Sequence, residues 1–202
     1  VSIIFGIMYI YHSREFIELL LSQPIDRKML YRGMYFGLAL PLAIGYLAGV
    51  GLPFALHDDG SQLATLALLL LSGVLLTFVF TAFAFLIAFK IEDRAKGFGI
   101  ALVIWLAFAV LYDGAILIFS FAFADYPLEK PMLSLSLLNP SDLARMLILL
   151  KSDFSALMGY TGAVFNKFFG SSFGLAVSIV LLLTWAAAPF FRGAALFRKK
   201  DF

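Results

Sequence analysis

Residues Leu63–Phe89 read LATLALLLLSGVLLTFVFTAFAFLIAF, a run with no charge in it. A helix crossing a hydrocarbon core about 30 Å thick needs about 20 such residues at about 1.5 Å each, so this stretch alone predicts a transmembrane helix. Three further runs meet the same test: Gly33–Leu56, Phe98–Ala124 (with one acid, Asp113) and Phe173–Phe191. Val1–Tyr11 is equally apolar but too short to cross, and is expected to be the last half of another span.

The whole chain agrees with these runs. Of its 202 residues, 62% are apolar and 14% charged, and the mean hydropathy is +0.98. Soluble domains carry about 45–50% apolar and about 25% charged residues, so a water-soluble globule is excluded. A net charge of +2 is too balanced for a nucleic-acid footprint. With no cysteine there is neither a disulfide framework nor a thiolate metal site. The 23 phenylalanines suit lipid contact and helix packing. The fold class is an all-α polytopic membrane protein, expected as one transmembrane domain over residues 1–202.

Cations set the expected orientation, because Lys and Arg are in excess in cytoplasmic loops. Segment 12–32 holds Arg14, Arg27, Lys28 and Arg32; segment 90–97 holds Lys90, Arg94 and Lys96; the tail holds Arg192, Arg198, Lys199 and Lys200. The turn 57–62 has Asp58 and Asp59 but no cation. Segments 12–32 and 90–97 and the C-terminus are therefore expected inside, and segment 125–172 outside. The simplest whole protein then has six spans with both termini cytoplasmic, about five of them represented here.

Segment 12–32 carries the clearest local signals. Ser13 is placed to cap a helix with Glu15 in its first turn, and Phe16, Ile17, Leu20 and Leu21 fall at helical spacing. Pro24 ends that helix, and Asp26 is placed to cap the next. Such a helix either lies on the headgroups or inserts as a knob into a cytoplasmic partner. Segment 125–172 is too long and too apolar for a simple loop. Asn139-Pro140-Ser141-Asp142 is a helix start, and Gly159–Gly162 offers a turn before a second apolar piece, Ala163–Phe169. A helical hairpin on or in the outer leaflet is expected there, either sealing the bundle or docking an external partner.

Three further features stand out. Gly33, Gly37, Gly45 and Gly49 form a ridge around Pro41, suited either to close helix packing within the subunit or to a seam that slides during switching, with Pro41 as a kink. Asp113 is the one acid well inside a span; it is expected either to be paired, with Tyr112 or Lys130 the candidates, to face a water-filled outer cavity, or to serve a substrate or proton. His12 and His57 read as interfacial. No Gly-x-x-x-x-Gly-Lys-Ser/Thr occurs, nor His-Glu-x-x-His, and the chain is not expected to be an enzyme.

Arg14–Arg27, REFIELLLSQPIDR, resembles the coupling segment of type-2 ABC transporter (ABC-2) permeases. The resemblance implies a type V exporter-like bundle in which Glu15, Phe16, Glu18, Leu19, Leu20, Pro24 and Arg27 meet a cytoplasmic ATPase. ATP and Mg would be bound by that partner, with no cofactor or metal in this chain. An ATPase with paired sites implies a two-fold homodimer in the bacterial inner membrane. Leu138–Arg145 and Ala156–Phe165 are further similar to permeases serving copper-site maturation of nitrous oxide reductase in denitrification. That likeness implies a periplasmic partner, met by Asn139, Asp142, Arg145, Tyr160, Asn166 and Lys167. The six methionines show no close paired pattern for a soft metal. Export of a substrate, mechanical signalling to the outer partner without translocation, and export of another cargo all remain open at this point.

Overall fold

The computed structural model describes residues 1–57, 63–123, 126, 128–149 and 172–199. All the regular structure among them is helical: α1 (Ser2–His12), α2 (Arg14–Leu21), α3 (Arg27–His57), α4 (Leu63–Lys90), α5 (Arg94–Leu106), a π-helical turn (Ala107–Leu111), α6 (Tyr112–Ala122), α7 (Glu129–Leu138), α8 (Pro140–Leu149) and α9 (Ser172–Lys199). Four stretches are long and apolar enough to cross a membrane: Arg27–Phe54, Leu63–Lys90, Arg94–Ala122 and Phe173–Lys199. These are the four expected spans, extended at their charged ends. A Lys or Arg at the bilayer edge marks where hydrocarbon stops, while the helix continues into the headgroups.

The chain packs as two compact units. The first comprises residues 1–45, 77–105 and 185–202. On α1, Ile3, Ile7 and Ile10 recur at helical spacing and join a buried cluster with Tyr31, Tyr35, Ala84, Phe85, Ala88 and Phe197. Gly6 permits this approach, since a Cβ there would lie 2.5 Å from the Ala84 side chain. Tyr31 sits among Phe85, Phe89, Phe190 and Phe197, with ring centroids 5.3–5.8 Å away. Its hydroxyl donates to the Phe190 carbonyl at 3.1 Å, and Tyr35 donates to the Phe78 carbonyl at 2.9 Å. In lipid, no hydrophobic force drives apolar helices together, so edge-to-face rings, close contact at small residues and buried hydroxyls carry the association.

The second unit comprises residues 46–76 and 106–184. Its described core joins Leu75 of α4, Leu143 and Leu147 of α8 and Leu182 of α9, with Met132, Leu133 and Leu137 of α7 packed alongside. Tyr46 lies over Gly73, where no Cβ would fit, and its hydroxyl donates to the Leu69 carbonyl at 2.9 Å.

Candidate functional site: a clamped interhelical corner and a stitched outer hairpin

The stretch between α1 and α3 forms the helix the sequence predicts, entered differently. Ser13 makes no side-chain cap; its φ of −89° and ψ of 6° differ from the extended conformation that aims a capping hydroxyl at the first turn. The chain instead passes almost directly from helix to helix, with the Ser13 N–H donating to the Tyr9 carbonyl and its own carbonyl accepting from Ile17 N–H. Asp26 does cap α3, accepting the Lys28 N–H at 2.9 Å.

Of the expected apolar face on α2, Ile17 is buried and Leu20 and Leu21 are half-buried, but Phe16 is not part of it. Phe16 lies about 100° around the helix from Ile17, and shares the opposite side with Leu19. These two are 61% and 58% exposed, beside the exposed Glu15 and Glu18.

The start of α2 and the segments flanking the helix are tied to distant backbone. Tyr11 donates to the Ile91 carbonyl at 2.9 Å and approaches the Asp93 carbonyl at 3.3 Å. Arg94 returns a bond to the Tyr11 carbonyl at 3.3 Å. Arg14 reaches the Ile91 carbonyl and lies 5.2 Å from the centre of the Tyr11 ring, a cation–π contact. The ring occupies the space a side chain at Gly97 would need. Asp93, accepting the Lys96 N–H, has its carboxyl held below the usual range chiefly by that bond. At the far side, Arg27 donates to the Arg198 carbonyl at 3.1 Å. Of these anchors the sequence singles out only Arg27. A glycine in the first turn of α5 was the available signal, because glycine weakens a helix unless something must approach its backbone.

The outer hairpin is fixed by polar stitches to the π-turn and α6. Asn139 is fully buried. Its Oδ1 accepts the Ser141 N–H at 3.0 Å, the cap expected of it. Its Nδ2 donates to the Phe108 carbonyl at 2.8 Å, inside the π-turn. A π-turn widens the hydrogen-bond ladder and opens carbonyls to outside donors, and these turns concentrate at functional sites. Tyr112 donates to the Leu135 carbonyl at 2.7 Å.

Asp113 does not pair with Tyr112, whose hydroxyl goes to Leu135. Its Oδ2 accepts from Arg145 Nη1 at 2.7 Å, and the side chain of Lys130 lies outside the described residues. The same Arg145 nitrogen is 3.4 Å from Asp142, so one guanidinium serves two carboxylates. Burial, then a hydrogen bond to Asp113 and the Asp113 charge, push the Asp142 carboxyl up to about 6, against the lowering effect of Arg145. Among residues expected to meet an external partner, Asn139 and Asp142 are thus turned inward, and Arg145 is partly exposed. Tyr160, Asn166 and Lys167 lie outside the described residues.

On the glycine ridge of α3, a Cβ at Gly33, Gly37, Gly45 or Gly49 meets nothing within 4 Å among the described residues. The packed tyrosines Tyr31 and Tyr35 lie on a different side of α3.

Four membrane-length helices, a short amphipathic helix clamped between two of the longer ones and a polar-stitched helical hairpin define a polytopic permease subunit. The chain belongs to the ABC-2 transporter family: residues 2–202 match the family described as ABC-2 family transporter protein. It is 28% identical over 192 residues to the probable ABC transporter permease protein NosY of Stutzerimonas stutzeri. It is 30% identical over 197 residues to the protein of the same name from Pseudomonas aeruginosa. Each alignment covers 90% of this chain and 67% of the relative. Membrane subunits of this family are not themselves ATPases, and the family implies an ATPase partner.

Proposed function

We propose that this chain is the membrane subunit of an ABC complex supporting copper-site maturation of nitrous oxide reductase, transmitting ATP-driven movement of a NosF-like cytoplasmic ATPase to a NosD-like periplasmic partner. The subunit works as a homodimer in the bacterial inner membrane, with the full chain's termini, segment 12–32 and segment 90–97 on the cytoplasmic side. ATP and Mg belong to the ATPase, and this chain contributes no cofactor.

The observation that carries the reading is the division of labour on α2. Ile17 roots the helix while Phe16, Leu19, Glu15 and Glu18 stand free. Both flanks are tied to distant backbone, through Tyr11 and Arg14 at Ile91 in the short connection between α4 and α5, and through Arg27 at Arg198 of α9. A push on the free face is therefore passed to that connection and to α9. An apolar pair on a held helix, entering a groove of a partner, is the usual anatomy of helix-in-groove recognition.

The hairpin's stitches favour mechanical signalling as the outward step. Asn139, Tyr112 and Arg145 attach α7 and α8 directly to the π-turn and α6, so a change in that helix moves the hairpin with it. Export of a substrate, or of another cargo, is the competing reading.

The test is co-expression of the full-length permease with its ATPase and periplasmic partner. Replacing Phe16 and Leu19 together by Asp is expected to leave membrane insertion intact while abolishing ATPase co-purification and reductase maturation. Undiminished assembly and maturation in that variant overturn the coupling reading.

A further inference from the structure

Helices α3 and α9 enclose a groove of about 200 Å³ where α3 begins and α9 ends, lined by Lys28, Tyr31, Arg32, Phe190, Phe191, Ala194, Ala195 and Arg198. Its chemistry is graded along the helices. Lys28 and Arg32 stand one turn apart on α3, and Arg198 occupies the last turn of α9. Phe190, Phe191, Ala194 and Ala195 lie further into the span Phe173–Lys199. The three cations are exposed, and among the described residues no carboxylate forms an ion pair with any of them. The nearby Asp26 is engaged as the α3 cap.

We infer that this groove binds an anionic phospholipid from the leaflet at that end, with its phosphate among Lys28, Arg32 and Arg198 and the start of an acyl chain against Phe190, Phe191 and Ala195. Three cations above an apolar floor match an amphiphile with a negative head, and basic pockets between transmembrane helices are where such headgroups lodge. Arginine adds forked hydrogen bonding to phosphate oxygens. A soluble acidic peptide satisfies the cations but leaves Phe191, 67% exposed on the flank of a membrane helix, without an apolar partner. A zwitterionic lipid covers the floor but brings its own cation toward three others. The site depends on neither the copper reading nor the assignment of α2; the residue shared with the α2 anchors, Arg198, contributes its backbone carbonyl there and its side chain here.

The full-length protein, purified in a neutral detergent and stripped of lipid, is titrated with phosphatidylglycerol, phosphatidylcholine or inorganic phosphate. Thermal unfolding and intact-protein mass spectrometry are the readouts. Phosphatidylglycerol is expected to be retained and to raise the melting temperature, with the other two ineffective. Replacing Lys28, Arg32 and Arg198 by Gln should weaken phosphatidylglycerol binding roughly a hundredfold, from about fivefold per cation near a charged lipid surface. Ala195→Phe, which fills the floor without altering charge, should also reduce retention, while Lys90→Gln with Lys96→Gln should not. Equal retention of the two lipids by the unaltered protein overturns the proposal. So does protection by phosphate alone, or undiminished retention in both groove variants; if the triple variant does not fold, the lipid comparison and Ala195→Phe still decide.

Discussion

The α1–α2 corner and the outer hairpin are both short helical insertions held against long helices, yet they are held by opposite means. The corner is fastened by neutral or cationic donors on backbone carbonyls, and its polar and apolar surplus stays outside. The hairpin draws its polar groups inward: Asn139 and Asp142 are buried and share the interface with a guanidinium. Backbone carbonyls cannot titrate or change identity, so the first arrangement suits a fixed transmission joint. Carboxylates that share a cation respond to protons and to small displacements, which suits an adjustable contact.

The largest expected effect comes from crowding the joint. Gly97→Leu drives a side chain into the Tyr11 ring, and overpacking of this kind costs about 1–3 kcal/mol or more. A clear fall in melting temperature together with lost ATPase association is expected; a variant as stable and as well assembled as the parent breaks the picture of a joint clamped at Tyr11. Next comes Asn139→Ala, which removes a helix cap and leaves the Phe108 carbonyl without its side-chain donor. The two losses together are worth about 2 kcal/mol. Loosening should be local to α8, seen as faster backbone amide exchange there than at α2.

Asp142 gives a smaller effect with a distinctive sign. A carboxyl raised to about 6 from 3.8 holds a proton in the folded chain that the unfolded chain has released. Its stabilisation is complete below the unfolded value and is lost as pH rises through about 6. Asp113, Arg145 and Tyr112 are the charged or titratable groups facing it. Melting temperature is expected to fall between about pH 4 and about pH 6 and to level off above that, and Asp142→Asn should flatten that slope. A slope unchanged in the variant assigns the titration elsewhere.

Arg145→Gln should cost less still, about 1 kcal/mol or under, because the Arg145 and Asp113 side chains remain 46% and 36% exposed and water screens the pair. Last is Phe16→Ala with Leu19→Ala. Stability should stay within about 0.5 kcal/mol, as for other exposed positions, while co-purification with the ATPase drops. A melting temperature lowered as far as in Gly97→Leu would place these side chains in the protein's own packing and remove the contrast with the hairpin.

What the sequence made legible follows the range of the interactions. Spans are read from local hydropathy, and the caps at Asp26 and Asn139 from residues two positions apart. The separation of Ile17 from Phe16 needed knowledge of which side of α2 would face the buried cluster. Tyr11 meets Ile91, and Arg145 meets Asp113, across long stretches of chain, and no local pattern announces either. The glycine ridge shows the reverse difficulty: its spacing signals close packing but not which neighbour supplies it. The second Asn139 bond was hidden for another reason, since nothing in Ala107–Leu111 advertises a π-turn by composition.

That π-turn has a geometric effect on everything after it. Each residue of an α-helix turns its side chain by about 100°, and a wide turn accommodates roughly one residue beyond the regular count. The residues of α6 are therefore out of phase with those of α5 by about that angle, and the direction of Asp113 is set by the surplus. Deleting one residue between Ala107 and Leu111 would keep every side chain of α6 yet turn the carboxylate away from Arg145. The helix thus carries a built-in phase offset, and the outer hairpin is indexed to it.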